Sequence, residues 1–243
     1  MSIPENVKQI QDNIAAAAKR AGRDPSEIAL CAATKMNDAS RVREAIAGGI
    51  TVCGENRAQE LLEKYAQGAY DGASLHFIGH LQKNKVRQLV GKAELICSVD
   101  SLELVEEIQK RAQAAGITQD ILIEINIGGE AAKSGIAPED LDDLLGKMGD
   151  FDCVRALGLM AIPPICASPE ENRIYFRRMK QLFVDIGRKK YDNNNVCMKI
   201  LSMGMSADYE VAVEEGSTLV RVGTAIFGAR NYTDRGGTAN VTV

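Results

Sequence analysis

Short apolar runs recur along this chain, and longer stretches in which apolar residues have helical spacing separate them. Most of the runs are continuously apolar rather than alternating, which is typical of parallel strands buried on both faces. The pattern predicts eight strands, at 27–34, 51–55, 75–79, 94–99, 120–127, 154–161, 198–202 and 219–222.

The stretches between the runs predict the crossover helices that parallel strands need. These helices are predicted at 39–47, 57–67, 101–115, 138–148, 170–186 and 207–215. One more helix is predicted before the first strand, because Ser2 and Glu5 have capping-box spacing and apolar residues follow at intervals of three or four.

Strands that alternate with helices favour a parallel sheet covered by helices, and eight such units close naturally into a barrel. We therefore expect a protein of the α/β class, a single (β/α)₈ TIM barrel with an additional N-terminal helix. An open, doubly wound sheet is the alternative. The barrel is expected to occupy residues 1–232, and the polar residues 233–243 are expected to form a flexible tail.

The composition is that of a globular protein, with 45% hydrophobic and 26% charged residues. A net charge of −4 argues against nucleic acid as a partner, since that would call for a basic surface. We find no signal-peptide pattern and no apolar run long enough to span a bilayer, so we expect a cytoplasmic protein without a membrane partner. Six cysteines occur singly, which predicts buried free thiols rather than disulfides or a zinc site.

Barrels of this kind hold their reactive groups at the carboxyl ends of the strands. Lys35 follows the first strand, where partial burial would lower its amine pKa and make it a nucleophile toward an aldehyde. Ser206 follows the seventh strand, and Gly223 and Thr224 follow the eighth, where barrels commonly bind a phosphate. A surface lysine and simple helix capping are the alternative explanations.

Closure of the barrel makes the first strand a neighbour of the eighth, at roughly 5 Å. Lys35 is then one to two strand spacings from the phosphate turns, which suits a cofactor with an aldehyde near one end and a phosphate near the other. Arg221 lies between these points and is placed to face a pyridine nitrogen, although a structural ion pair is also possible. An arginine does not readily give up a proton, so the ring would stay a weak electron sink.

Residues after the second and third strands carry weaker signals. Asn56 follows the second strand and is expected to reach the cofactor ring, with helix capping as an equally good account. His76 and His80 would point to one face of a strand about 13 Å apart, too far to share a metal. The segment 127–134 imitates a phosphate loop but lacks both required glycines, so we do not expect a nucleoside triphosphatase.

Combined, these segments resemble the pyridoxal phosphate homeostasis protein family, which is similar to the N-terminal barrel of alanine racemase. The resemblance extends to about Tyr232, and its motifs are specific only as a set. They are residues 33–35, 54–60, 76–85, 126–135, 158–160, 201–208 and 216–228. The family often has tryptophan where Leu75 stands here, which affects only local packing.

The resemblance implies that pyridoxal 5′-phosphate (PLP) forms a Schiff base with Lys35, that Ser206, Gly223 and Thr224 hold its phosphate, and that Arg221 lies beside its pyridine nitrogen. It also implies intracellular vitamin B6 homeostasis without established catalysis, which affects amino-acid and keto-acid metabolism. Apo PLP enzymes are possible recipients of the cofactor.

We expect a monomer, because the dimerising domain of the racemase is absent after the eighth strand. A PLP-dependent amino-acid racemase, which would need that domain and a tyrosine base, is the main alternative function. A lysine Schiff-base aldolase acting on a phosphorylated sugar is a further one.

Overall fold

In the computed structural model, residues 1–130, 133–189, 191 and 195–228 are described. Within these residues, eight parallel strands close into a barrel in the order of the sequence. The strands are β1 (Ala29–Ala33), β2 (Val52–Glu55), β3 (Ser74–Phe77), β4 (Leu95–Val99), β5 (Gln119–Ile125), β6 (Val154–Ala161), β7 (Val196–Ser202) and β8 (Leu219–Val222). The predicted barrel is therefore confirmed, and the open doubly wound sheet is excluded.

Helices in the described part of the chain precede, connect and follow the strands. They are α1 (Ile3–Arg20), α2 (Ala39–Ala47), α3 (Ala58–Tyr65), α4 (Val86–Leu89), α5 (Leu102–Ala115), α6 (Leu141–Gly146), α7 (Arg173–Arg188), α8 (Tyr209–Glu214) and α9 (Thr224–Phe227). The predicted N-terminal helix is confirmed as α1, with both capping-box hydrogen bonds between Ser2 and Glu5 present. It packs against α2, α8 and α9.

Some element boundaries differ from the prediction. The third strand ends at Phe77 rather than at residue 79, so the chain leaves the sheet before His80. The connection between β3 and β4 contains α4, a single helical turn that the hydrophobic pattern did not predict, because so short a helix shows too few periods. The predicted tail, 233–243, lies outside the described residues, and the domain limit at residue 232 stays a prediction.

Two apolar layers stabilise the barrel. The outer layer lies between strands and helices and includes Phe77, Ile96 and Phe176. The inner layer fills the barrel with side chains that include Leu122 and Met160. Strand residues are thus buried on both faces, which explains the continuous apolar runs.

The cysteines only partly match the prediction of buried thiols. All six are free, and Cys31, Cys53 and Cys97 are buried. The other three, Cys153, Cys166 and Cys197, are partly exposed. Among the described residues, each helix is too short or too polar to cross a membrane.

Candidate functional site

The carboxyl ends of β1 and β8 lie side by side. Pairing of the two strands sets Ala32 opposite Val222, so the chain continues from neighbouring positions into Lys35 and Gly223. The approach at this point is close, since a Cβ atom added at Gly223 would lie 3.3 Å from both Cβ and the carbonyl oxygen of Ala33. The predicted adjacency of the half-buried Lys35 to the turn after the eighth strand is therefore confirmed.

Ser206 connects the turn after β7 to the turn after β8. Its hydroxyl oxygen accepts hydrogen bonds from the backbone N–H groups of Gly223, at 3.1 Å, and Ala225, at 3.4 Å. An anion oxygen would accept from the same kind of paired N–H groups. Thr224, the first residue of α9, is exposed beside them. The turn therefore offers a hydroxyl and converging N–H groups to an anion.

The alternative explanation of Ser206 as the cap of the next helix is wrong. Helix α8 begins at Tyr209, and Asp208 precedes it without a side-chain cap. The Asp208 carboxylate instead accepts a hydrogen bond of 2.7 Å from the backbone N–H of Met205. Ser206 is thus directed toward the end of β8 and not toward α8.

Arg221 lies inside the barrel, with only 4% of its surface exposed. Its Nη1 donates to Ser202 Oγ at 2.6 Å, and its Nη2 donates to the carbonyl oxygen of Ala161 at 3.0 Å. Burial lowers the pKa of this guanidinium from its ordinary value. Its partners in these contacts are neutral oxygens, which argues against the structural ion pair considered as an alternative.

Asn56 follows β2, and its position depends on a glycine of the neighbouring loop. A Cβ atom added at Gly79 would lie 2.2 Å from the carbonyl oxygen of Asn56, so only glycine allows this approach. Helix α3 has Arg57 at its N-cap and no side-chain cap, so the capping account of Asn56 is wrong. The side-chain oxygen of Asn56 is buried without a hydrogen-bond partner among the described residues, which leaves it able to accept from a ligand.

The histidines do not share a strand face. His76 is in β3 and buried, and burial lowers the pKa of its imidazole to about 4. His80 lies beyond the strand and is exposed, with Nδ1 at 3.2 Å from Ser134 Oγ. The prediction that both point from one strand was wrong, because β3 ends at Phe77. Among the described residues there is no cluster of three or more possible metal ligands of the His, Cys, Asp and Glu types.

Sequence reasoning missed Glu124, a carboxyl group inside the barrel. It lies in β5 and is 6% exposed. Burial raises its pKa to about 7, the nearby Asp100 adds to the rise, and Arg221 opposes it. The available signal was an acidic residue between two isoleucines, Ile123 and Ile125, in a buried strand.

A second missed feature is a buried ionic cluster of Glu55, Glu60 and Lys64, which contacts the residues on either side of Lys35. The side chains of these three residues are at most 9% exposed. Lys64 Nζ lies 2.5 Å from Glu55 Oε1 and 3.5 Å from Glu60 Oε2. Leu61 and Lys64 lie three residues apart on the buried face of α3. A lysine at such a core-facing position indicates a buried ion pair, and this was the signal in the sequence.

The arrangement combines groups that suit a small anionic carbonyl compound. An amine stands at one strand end, an anion-binding turn lies at the neighbouring strand end, and a buried guanidinium and an unpaired amide oxygen lie nearby. These groups can bind a phosphate and place an aldehyde beside the amine.

Comparison with known proteins points in the same direction. The family described as "Alanine racemase, N-terminal domain" matches residues 6–231. A pyridoxal phosphate homeostasis protein of Aquifex aeolicus is 44% identical over 232 residues, which cover 96% of this chain and 100% of that protein. The same name is carried by a Pseudomonas aeruginosa protein that is 39% identical over 95% of this chain and 97% of its own length.

Solved structures agree with the sequence comparison. A protein of unknown function from Bifidobacterium adolescentis superposes with a TM-score of 0.86 at 38% identity, covering 93% of this chain and 94% of that one. PipY of Synechococcus elongatus, in a structure with PLP bound, superposes with a TM-score of 0.80 at 30% identity. The superposition covers 93% of this chain and 100% of PipY. The chain therefore belongs to the pyridoxal phosphate homeostasis protein family, whose barrel is that of the alanine racemase N-terminal domain.

Proposed function

We propose that this chain binds PLP at the mouth of its barrel and serves intracellular PLP homeostasis, the function named for its relatives. The observation that carries the proposal is the pairing of β1 with β8, which brings Lys35 beside the turn where Ser206 meets the N–H groups of Gly223 and Ala225. PLP carries an aldehyde and a phosphate on one ring, and the amine and the anion-binding turn of this site follow neighbouring strands.

Each group of the site has a role in this proposal. Lys35 Nζ adds to the aldehyde carbon, a C=N bond forms, and the aldehyde oxygen leaves as water, which gives a Schiff base. Ser206, Gly223 and Thr224 hold the phosphate. Asn56 hydrogen-bonds to the ring substituents through its unpaired oxygen.

Arg221 is the proposed neighbour of the pyridine nitrogen, and its chemistry favours carriage over catalysis. Bound PLP supplies an electron-withdrawing ring, and protonation of the ring nitrogen strengthens that withdrawal. A guanidinium donates a hydrogen bond without giving up its proton, so the nitrogen stays unprotonated. This supports a protein that stores or delivers PLP. Apo PLP enzymes are the proposed recipients.

We further propose that the protein works as a monomer in the cytoplasm, with residues 1–232 as one PLP-binding domain. The six free thiols support a reducing compartment. Light scattering of the purified protein at several concentrations tests the oligomeric state, and a mass near twice 26.2 kDa would overturn the monomer.

The decisive experiment is borohydride reduction of the PLP-loaded protein, followed by peptide mass spectrometry. Reduction converts the C=N bond into a stable amine, which marks the lysine concerned. We expect the phosphopyridoxyl group on Lys35 and its loss in Lys35→Ala, whereas Lys83→Ala, which removes an exposed lysine, keeps it. An adduct spread over surface lysines, or none, would overturn the proposal.

A separate assay decides between carriage and racemisation. Purified protein loaded with PLP is incubated with single amino-acid enantiomers, and chiral chromatography follows the product. We expect no turnover above that of Lys35→Ala. Sustained racemisation that Lys35→Ala abolishes would replace homeostasis by the racemase alternative.

A further inference from the structure

The peptide groups on both sides of Lys35 are held by side chains from β2 and α3. On the N-terminal side, Lys64 Nζ donates to the carbonyl oxygen of Thr34 at 2.8 Å, and the Thr34 hydroxyl donates to Glu55 Oε1 at 2.7 Å. On the C-terminal side, the backbone N–H of Met36 donates to Glu60 Oε2 at 2.8 Å. The cluster of Glu55, Glu60 and Lys64 is therefore hydrogen-bonded to the residues immediately before and after Lys35.

The backbone at this point has an unusual conformation. Met36 has a φ of 61°, the only positive φ of a residue other than glycine in the described part of the chain. This left-handed conformation is unfavourable for a side chain such as that of methionine. Because Glu60 accepts from the Met36 N–H, its contact helps to keep Met36 in this conformation.

The cluster is a costly way to stabilise a fold. Burying ions requires desolvation, and well-packed apolar residues of similar size are often as stable or more so. Glu60 also leaves its other carboxylate oxygen, Oε1, buried without a partner among the described residues. Glu55 also accepts from the Tyr70 hydroxyl and the Asn56 N–H. The contacts that the cluster makes with Thr34 and Met36 are the ones that flank Lys35.

We propose that Glu60, together with Glu55 and Lys64, forms a positioning cluster that presents Lys35 to the cofactor aldehyde. The inference rests on the proposed function, since it assigns these residues to the same site. They act through the backbone around Lys35 and do not touch the cofactor. The cluster raises affinity by holding the attacking amine in place before the ligand arrives.

The inference makes a distinction between two ligands. PLP can condense with Lys35, whereas pyridoxamine 5′-phosphate has the same ring and phosphate but carries an amine in place of the aldehyde. A residue that positions Lys35 affects only the first ligand. A residue that merely stabilises the barrel mouth affects both.

Glu60→Leu is the most informative variant, because it removes the acceptor for the Met36 N–H while Lys64 keeps Glu55 as its partner. Glu60→Gln retains an oxygen acceptor without the charge. Glu63→Leu is the matched control, since Glu63 is exposed on the same helix. Equilibrium titrations give the affinities of the four proteins, wild type included, for PLP and for pyridoxamine 5′-phosphate.

We expect Glu60→Leu to weaken PLP binding about tenfold, the effect of one unsatisfied hydrogen-bonding group, and to leave the affinity for pyridoxamine 5′-phosphate unchanged. Glu60→Gln restores most of the PLP affinity, and Glu63→Leu behaves as wild type. In a Lys35→Ala background, Glu60→Leu has no further effect on PLP. Equal weakening for both ligands, or no weakening, overturns the inference.

A second variant guards against misfolding of Glu60→Leu. Thr34→Val preserves shape and removes the hydroxyl that Glu55 accepts from, and it too should weaken PLP binding selectively. If wild type itself carries no reducible adduct on Lys35, the proposed function fails. If wild type carries the adduct and both variants bind both ligands normally, only the positioning role fails.

Discussion

Ser206 and Gly223 are 17 residues apart in sequence, and the Gly223 N–H donates to Ser206 Oγ at 3.1 Å. The two residues follow adjacent strands, so the hydrogen bond ties the turn after β7 to the turn after β8. Ser206 thereby keeps the N–H groups of Gly223 and Ala225 directed toward one point.

Ser206→Ala should weaken the binding of PLP about tenfold, because it removes a proposed hydroxyl donor to the phosphate. It also removes the acceptor that keeps the N–H groups of Gly223 and Ala225 directed toward one point. Pyridoxal, which has the aldehyde but no phosphate, should bind the variant and wild type equally. Titration with both ligands checks this. Equal losses for PLP and pyridoxal would show that Ser206 shapes the site without binding the phosphate.

Glu124 should make the stability of the protein fall with rising pH. Its pKa is about 7 in the folded protein against 4.5 for an ordinary glutamate. Between these values the folded protein holds a proton that the unfolded chain releases, so the free energy of unfolding falls as pH rises through this window. The loss amounts to about 3 kcal/mol at most.

Glu124→Gln removes this loss, since an amide does not titrate. Relative to wild type, the variant should gain free energy of unfolding between about pH 5 and about pH 8, as measured by urea denaturation. Glu106→Gln, at an exposed position of α5, should follow the wild-type profile. Parallel pH profiles for wild type and Glu124→Gln would contradict the raised pKa.

Met36 should not tolerate a β-branched residue. Met36→Val places a branched side chain at a φ of 61° and should lower the free energy of unfolding by about 1–2 kcal/mol. Met36→Asn should cost little, because asparagine adopts this conformation readily and Met36 is 46% exposed. Chemical denaturation compares the two, and equal stabilities would argue against the left-handed conformation.

Gly79→Ala should be destabilising by about 3 kcal/mol, the upper end of the usual cost of overpacking. The added Cβ would meet the carbonyl oxygen of Asn56 at 2.2 Å, so the backbone must move. Gly146→Ala is the matched control, with no atom within 4 Å of the added Cβ and a helical backbone, and it should stabilise by about 0.5–1 kcal/mol. Thermal denaturation of both variants tests the contrast. A mild effect at Gly79 would mean that Asn56 is free to shift.

Much of the fold could be predicted from the amino-acid sequence alone. The apolar runs predicted all eight strands, and their number and parallel character led to the closed barrel. The location of Lys35 beside the turn after the eighth strand followed from closure alone. Such inferences succeed because side-chain periodicity and strand number are local or countable properties of a chain.

The environments of individual side chains could not be predicted from the sequence in this way. The sequence offered helix capping for Ser206 and Asn56, and both accounts were wrong, because the bonding partners of Ser206 lie on another strand end and Asn56 is held by Gly79. The raised pKa of Glu124 also depends on its burial inside the barrel and on Asp100, which follows β4.

Local sequence therefore specified the barrel and the side of it on which chemistry is expected, since hydrophobic periodicity and strand order are written along the chain. Only the tertiary structure shows that Glu55, Glu60 and Lys64 form hydrogen bonds with the residues on either side of Lys35. Contacts between distant residues arise only when strands and helices pack in three dimensions. For that reason their geometry, and the electrostatics that depend on it, came from the tertiary structure.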